Sequence, residues 1–342
     1  MSRIIFIVFF SVLSCSAFAE NTVQKLYKSV NSSVVELHVK ALAQPKPGQV
    51  AYKMTTSGSL GSGALISKEG RILTAAHVVD RATEIEVIFA DGTKTTGHVV
   101  WVESMLDLAM IQAGKVPENV KPLPLAESGS YHIGDQVIVI GAPYGVSHSL
   151  SVGYLSGIRD REKIPGSDLI PRFLQTDASI NQGNSGGPMF NMKGEIIGIV
   201  SHILSKTGGS NGLGFSVSVD TISSVIDSEP GAFFGLIPHL LTKEQAFAIN
   251  NSFGYGILIQ QVIPNTLADR LGFKGGSLNV MIGRTPVLLG GDIILSIGGR
   301  PLEDLEAVVK IKKRFALYKD GDKITFKFLR EGVIKQVVWV KD

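Results

Sequence analysis

The residues best suited to chemistry lie in a glycine-rich run around Ser185. This run reads GNSGGP from Gly183 to Pro188. A nucleophilic serine needs a tight turn of small residues, which exposes its hydroxyl and lets backbone N–H groups converge on a developing oxyanion. Ser185 is therefore a candidate nucleophile. The alternative is a glycine-rich hairpin without a catalytic role.

A histidine and an aspartate upstream complete a possible catalytic set. A serine hydroxyl is a weak nucleophile and needs a neighbouring base, such as imidazole, that is neutral near physiological pH. His77 follows an apolar, strand-like segment, and Asp107 stands at the head of another, where a buried carboxylate needs a hydrogen-bond partner. Taken alone, His77 could be structural and Asp107 could lie in a surface turn. The order His77, Asp107, Ser185 is nevertheless that of the chymotrypsin-type triad.

The segments that must position these side chains are short and strand-like. From residue 34 to residue 219, apolar runs alternate with glycine and small polar residues. This spacing favours a β-barrel or a β-sandwich. Residues 44 to 62 are rich in Pro, Ser, Thr and Gly, and we predict a surface loop there.

A domain boundary is predicted shortly after residue 219. Residues 221 to 228 have helical spacing, and Glu229, Pro230 and Gly231 break it. Beyond this point strand-like and helical segments alternate, which predicts a small α+β module.

The composition limits the class of protein. The chain has 342 residues, of which 44% are hydrophobic, 18% are charged and 38 are glycine. This length favours two domains, and this composition excludes a disordered chain or a coiled coil. The net charge of +3 comes from interspersed residues, so we expect no nucleic acid partner. The single cysteine, Cys15, excludes an intramolecular disulfide and a cysteine-based zinc site.

Residues 1 to 19 have the three parts of an export signal. Arg3 supplies a positive charge, residues 4 to 13 form an apolar segment, and an Ala-Phe-Ala cleavage site follows. The apolar segment is shorter than the roughly 20 residues that span a bilayer. We therefore predict a periplasmic or secreted protein. An uncleaved signal or a lipidated Cys15 would instead anchor the chain to a membrane.

Together these stretches resemble the HtrA/Deg family of trypsin-like serine proteases with one C-terminal PDZ domain. The stretches that carry the resemblance are Gly61 to Ile66, Thr74 to Val79, Asp107 to Ala109, Ile140 to Gly145 and Gln175 to Pro188. The resemblance implies a mainly β fold, in which a chymotrypsin-like double β-barrel precedes a small α+β PDZ domain. The protease domain would cover residues 20 to 228 and the PDZ-like domain residues 229 to 342.

The resemblance also implies a role for each residue of the set. Ser185 would be the nucleophile, His77 the general base and acid, and Asp107 the carboxylate that orients the histidine. The backbone N–H groups of Gly183 and Ser185 would form the oxyanion hole. No metal or organic cofactor is expected.

By the same resemblance, a pocket receives the substrate side chain that precedes the cleaved bond. The residues expected to line it are Ser179, Ile180, Ser201, His202 and Ile203. None of these is a carboxylate, so we predict cleavage after small or medium aliphatic residues and not after Arg or Lys. Ile180 could instead be an ordinary core residue.

In the PDZ-like domain, a glycine-containing run is expected to bind peptides. Backbone N–H groups of such a loop bind a peptide C-terminus, and the peptide joins the sheet as a strand. The run consists of Tyr255, Gly256, Ile257 and Leu258. Residues 275 to 290 depart from the family pattern as an inserted apolar loop, which could cover the groove or form another contact surface.

The function implied is that of an exported serine endopeptidase that degrades unfolded or damaged proteins in the cell envelope. Its PDZ domain would bind C-terminal peptides of substrates or regulators, and a homotrimer or a higher homo-oligomer is expected. Two alternatives stay open. One is a chaperone or stress-sensing peptide-binding protein, and the other is a dedicated processing protease with one target.

Overall fold

A computed structural model describes residues 22–43, 56–142, 148–204, 209–228, 233–315 and 317–341. The predicted export signal, with Cys15, and the predicted boundary at residues 229 to 231 lie outside these ranges. Within them, no helix is both long enough and apolar enough to cross a membrane.

The first barrel follows a short amphipathic helix, α1 (Thr22–Val30). Its six strands are β1 (Val34–Leu42), β2 (Thr56–Leu65), β3 (Arg71–Thr74), β4 (Ala82–Ile88), β5 (Lys94–Glu103) and β6 (Leu108–Ala113). They close in the antiparallel order β1-β2-β3-β6-β5-β4. A one-turn helix, α2 (Ala76–Val79), separates β3 from β4. Because side chains alternate along a strand, apolar residues such as Leu37, Val87 and Ile111 are buried in one core cluster.

The second barrel repeats this architecture. Its six strands are β7 (Gln136–Gly141), β8 (Ser149–Asp160), β9 (Arg172–Thr176), β10 (Pro188–Phe190), β11 (Ile196–Ile203) and β12 (Gly214–Ser218). They close in the order β10-β11-β12-β9-β8-β7. Helix α3 (Val219–Asp227) follows, and Ser218 caps it by accepting a hydrogen bond from the Thr221 N–H. The predicted mainly β fold with a double barrel is confirmed.

A buried apolar layer joins the two barrels. Leu26 of α1, Trp101 of the first barrel and Ile138, Phe190 and Ile222 from the second half belong to one cluster. Because both barrels contribute to the same core, their relative position is set by close packing. Loops from both barrels therefore meet in a defined cleft.

The C-terminal module is an antiparallel sheet with helices, as the α+β prediction required. Its elements are β13 (Leu236–Leu240), α4 (Lys243–Ala248), β14 (Ile257–Val262), α5 (Leu267–Arg270), β15 (Leu278–Ile282), β16 (Thr285–Leu289), β17 (Ile293–Ile297), β18 (Arg300–Pro301), α6 (Leu305–Phe315), β19 (Lys323–Arg330) and β20 (Val333–Val340). The main sheet has the order β13-β14-β17-β19-β20, with β18 paired to β17. Strands β15 and β16 form a separate hairpin.

Two predicted loops differ from the structure. The segment 44 to 62 is strand from Thr56 onward, since β2 pairs with β1 from Val34↔Ala64 to Leu42↔Thr56, while residues 44 to 55 lie outside the described ranges. The insertion at 275 to 290 is the β15–β16 hairpin. It is attached to β14 because the Leu288 N–H donates to Gln260 Oε1 at 2.7 Å. Small and polar residues predicted the first loop and departure from the family pattern the second, but cross-strand pairing makes strands in both segments.

Candidate active site

His77 and Asp107 meet where the register of two strands brings their loops together. Strand β3 pairs with β6 through Thr74↔Ala109, so the α2 turn after β3 lies beside the turn before β6. His77 Nδ1 is 2.9 Å from both Asp107 carboxylate oxygens, and the His77 backbone N–H donates to Oδ1 at 3.0 Å. Asp107 has φ +53°, a left-handed conformation that short polar side chains tolerate. The carboxylate thus holds the imidazole ring and its backbone together.

The carboxylate of Asp107 is stabilised in its ionised form. Ser201, on β11, donates its Oγ–H to Asp107 Oδ2 at 2.5 Å. Burial by itself raises the pKa of Asp107. The hydrogen bonds and the charge of His77, together with the hydrogen bond from Ser201, lower the pKa by more than burial raises it. The pKa of Asp107 therefore lies below its ordinary value. An ionised Asp107 accepts the Nδ1–H of His77 and leaves Nε2 free to accept a proton.

Ser185 lies in a turn that three backbone contacts hold in place. The Ser62 N–H donates to the Ser185 carbonyl at 2.8 Å, and the Gly186 N–H donates to the Val200 carbonyl at 2.8 Å. The Ser62 hydroxyl donates to the Gly183 carbonyl at 2.7 Å. Strands from both barrels therefore anchor the loop, because Ser62 belongs to β2 and Val200 to β11.

The Ser185 hydroxyl is hydrogen-bonded to the backbone of β11 and not to the imidazole of His77. Ser185 Oγ donates to the Ser201 carbonyl at 3.3 Å, and among the described residues it makes no hydrogen bond to His77. The hydroxyl must turn from that carbonyl before its proton can pass to the imidazole. Within the described part of the chain, the N–H groups of Gly183 and Ser185 donate to no acceptor. These two donors are the pair expected to stabilise an oxyanion.

Comparison with known proteins agrees with this geometry. Residues 61–199 match the trypsin-like peptidase domain family. A probable periplasmic serine endoprotease DegP-like of Halomonas elongata is 33% identical over 285 residues, which cover 82% of this chain and 55% of that protein. The chain is thus similar to serine endoproteases of the HtrA/Deg kind over most of its length.

Two further proteins are similar to this chain over most of its length. The periplasmic serine endoprotease DegP of Escherichia coli K12 is 32% identical over 286 residues, covering 82% of this chain and 56% of that protein. A solved structure of a variant of the HtrA-type protease AlgW with a decapeptide has a TM-score of 0.53 at 26% identity, covering 92% of this chain and 95% of that one. The chain thus spans about half the length of the curated relatives and nearly all of the solved one.

The residues predicted to line the HtrA/Deg substrate pocket have different surroundings. Ile180 is 2% exposed and belongs to the core cluster of the second barrel, where it packs against Gly214. Ser179 is exposed and Ile203 is partly buried. Ser201 directs its hydroxyl to Asp107 and only its carbonyl toward Ser185. The residue type alone gave no indication that Ser201 would donate a hydrogen bond to Asp107.

His202, the fifth residue predicted for the pocket, is half-buried between aromatic rings. Its ring stacks on Phe215 with centroids 5.1 Å apart at 14°, and the edge of Phe173 lies 5.9 Å away. His202 Nδ1 is 2.9 Å from Ser201 Oγ. The side chain therefore contacts the group that supports Asp107.

The run predicted to bind peptides in the C-terminal module has no open edge. Strand β14, which contains Ile257 and Leu258, pairs with β13 on one side and β17 on the other. The Gly256 carbonyl accepts the Leu241 N–H at 3.0 Å. Since both edges of β14 are occupied at Ile257 and Leu258, a peptide cannot join the sheet there, and the structure does not support the role expected for Tyr255 to Leu258.

A cavity of about 410 Å³ lies instead beside the edge strand β13. Its walls include Phe234 to Pro238 on one side and Val308, Ile311 and Phe315 of α6 on the other. Gly235, at φ +79°, bends the chain into β13. The first barrel contributes residues 79–81 and 102–104 to the same cavity. An edge strand beside an apolar helix face is the arrangement in which PDZ domains receive peptides.

Proposed function

We propose that the chain is an exported serine endopeptidase that hydrolyses unfolded or damaged proteins in the bacterial cell envelope. The observation that carries the proposal is the contact of His77 Nδ1 with both Asp107 oxygens at 2.9 Å, in the cleft that also contains Ser185. The periplasmic names of the relatives and the signal-like residues 1 to 19 support the location. A homotrimer or a higher homo-oligomer stays part of the proposal.

In this mechanism the Ser185 oxygen attacks the carbonyl carbon of the peptide bond, and His77 Nε2 takes the hydroxyl proton. The Gly183 and Ser185 N–H groups bind the negative oxygen of the tetrahedral intermediate. His77 then gives its proton to the amine that leaves, and an acyl-enzyme forms. Water, activated by the same imidazole, releases the acid and restores Ser185. Asp107 orients the ring and stabilises its charge throughout.

The pocket supports cleavage after small or medium aliphatic residues. Ile180 occupies the space beside Gly214, where an added Cβ would meet the Ile180 side chain at 2.5 Å. None of the residues predicted to line the pocket is a carboxylate, so a cationic side chain would have no partner there, and the free energy of an unpaired buried charge is high.

The test compares unfolded casein and a stable folded protein as substrates for the full chain and its Ser185→Ala variant. We expect cleavage of casein only, and loss of at least about 10³-fold in rate on removal of the nucleophile. Equal activity in both chains would refute the proposal and favour a chaperone or stress-sensing role. Cleavage of neither substrate by a folded chain would favour a dedicated processing protease.

We further propose that the C-terminal module is PDZ-like and binds peptide C-termini along β13. Fluorescence polarisation with an apolar peptide in free-acid and amidated forms tests this, since loop N–H groups recognise the carboxylate. Val308→Lys, inside the cavity, should abolish binding, while Lys310→Gln, on the exposed face of α6, should not. Equal binding of the amidated peptide would contradict the proposal.

A further inference from the structure

A second imidazole, that of His202, lies one residue along β11 from the serine that contacts Asp107. The register pairs His202 with Phe215 of β12, which places the ring in the aromatic stack. Stacking fixes the plane of the ring, so Nδ1 stays directed at Ser201 Oγ, 2.9 Å away. Four side chains thus form a continuous chain from His202 through Ser201 and Asp107 to His77.

The direction of each hydrogen bond in this chain follows from counting protons. A serine hydroxyl has one proton, and an ionised carboxylate has none. Ser201 therefore donates to Asp107 Oδ2 at 2.5 Å and must accept from His202 Nδ1. This requires His202 to carry its proton on Nδ1 in the neutral form as well as in the imidazolium.

We propose that His202 is a positioning residue for the catalytic carboxylate, acting through Ser201. The proposal rests on the proposed protease mechanism. Donation by His202 polarises the Ser201 hydroxyl and strengthens its bond to Asp107, because hydrogen bonds in a chain reinforce one another. The hydrogen bond from His202 also restrains the Ser201 rotamer. If Ser201 left this rotamer, Asp107 Oδ2 would lose the hydrogen bond that Ser201 donates.

Burial and the net effect of nearby charges lower the pKa of His202, so its neutral form dominates near pH 7. Burial lowers the pKa of His202, the charge of Arg161 lowers it further, and Asp107 only partly opposes them, while His77 acts in the same direction as Arg161. Arg161 lies over the Phe173 ring at 4.3 Å. The two rings that pack on His202, Phe173 and Phe215, carry no charge. The donor function therefore does not depend on protonation of the ring.

Two substitutions separate this role from contact with substrate. His202→Phe keeps an aromatic ring against Phe215 and removes the donor, whereas His202→Asn places an amide N–H near the former Nδ1. Both are made in the full-length chain, with thermal unfolding measured to establish that each is folded. The readout is the pH profile of kcat and of kcat/KM on a peptide cleaved by the wild-type chain.

We expect His202→Phe to lower kcat about three- to tenfold, the value of one hydrogen bond, with KM changed less than about twofold. The acid limb of kcat/KM should move to higher pH, because a weaker Ser201 donor leaves more negative charge facing the base. His202→Asn should restore most of the lost kcat and most of the wild-type pH profile of kcat/KM. An unchanged profile with a raised KM would overturn the proposal and assign His202 to substrate binding.

Nitrogen NMR of histidine-labelled protein shows which ring nitrogen of His202 carries the proton, and this measurement does not depend on catalytic activity. In the Ser185→Ala chain, which cannot digest itself under the proposed mechanism, we expect the Nδ1–H tautomer for His202. The Nε2–H tautomer would overturn the proposal. Activity that survives Ser185→Ala would instead refute the protease mechanism, so the two failures are distinguishable.

Discussion

Around Ser185, one glycine has a backbone conformation and surroundings that no other residue fits. Gly186 has φ +82°, and a Cβ there would lie 2.1 Å from Thr74 Oγ1 and 2.3 Å from the Ser62 carbonyl oxygen. Thr74 in turn donates to that carbonyl at 2.8 Å, so neither group can move freely. Close contact between the two barrels therefore demands glycine at this position.

Gly186→Ala should remove activity and destabilise the barrels by clearly more than a matched control. Gly92 has φ +83° with nothing within 4 Å of an added Cβ, so Gly92→Ala has only the backbone cost of about 1 kcal/mol. Urea unfolding and peptide cleavage measure the two effects. Equal stability losses would show that steric contact at Gly186 is unimportant.

The pH dependence of stability should reveal the ionised Asp107. Its folded-state pKa lies below the ordinary value, so the carboxylate stabilises the fold above about pH 4. That contribution is lost as the pH falls through the folded-state pKa. In a Ser185→Ala background, Asp107→Asn should destabilise most near pH 7, and the difference should shrink toward pH 3 in urea titrations. A difference that is constant with pH would contradict this.

Among the elements, β19 and β17 are tied together by a buried ion pair. Asp292, just before β17, is 1% exposed, and Arg330 at the end of β19 donates to both of its oxygens at 2.6 Å. The Lys274 N–H also donates to Asp292 at 2.8 Å, and Arg330 donates to the Gly272 carbonyl at 2.7 Å. The pair therefore connects the start of the hairpin insertion to the main sheet.

Removing one partner should destabilise the C-terminal module strongly. We expect Asp292→Ala to lower its free energy of unfolding by about 3–5 kcal/mol, because Arg330 then keeps a desolvated charge. Glu306→Gln breaks the exposed i,i+4 pair with Lys310 and should cost less than about 1 kcal/mol. Urea unfolding of the module measures both. Similar losses in the two variants would contradict the prediction.

At the scale of the whole molecule, the barrels and the C-terminal module have separate cores. The buried clusters of the barrels end by residue 226, and those of the module begin at residue 234. The contacts between the parts include polar ones, such as Lys312 with Glu103 at 3.1 Å and the Phe233 N–H with the Val100 carbonyl at 3.0 Å. Each part should therefore unfold as its own cooperative unit.

The two tryptophans allow each unit to be followed alone, since Trp101 lies in the barrel core and Trp339 in the module core. With Trp101→Phe the fluorescence reports the module, and with Trp339→Phe it reports the barrels. Phe326→Ala should lower the free energy of unfolding of the module by about 3–5 kcal/mol and shift only the Trp339 midpoint. Phe190→Ala should cost the barrels a similar amount and shift only the Trp101 midpoint. Midpoints that shift together would show a single cooperative unit.

Local sequence determined those features whose physical cause is local. The glycines around Ser185 reveal its turn because few other residues adopt such backbone angles. Apolar runs over Lys323 to Leu329 and Val333 to Val340, which flank Glu331 and Gly332, predict a hairpin, and strands β19 and β20 differ from it by one residue. The types of His77, Asp107 and Ser185 indicated their chemistry, because the side chain itself decides which residue can act as nucleophile or base. Their order along the chain then indicated the kind of triad.

Tertiary structure decided which groups meet across long separations. Ser201 supports Asp107 across 94 residues, a contact that depends on how the barrels pack. Strand β13 contains Pro238, which lacks an N–H, and it tolerates this residue because it lies at the edge of the sheet. That edge position moved the proposed peptide site from Tyr255–Leu258 to β13. Strand order is a property of the whole sheet, and no single segment encodes which of its edges stays open.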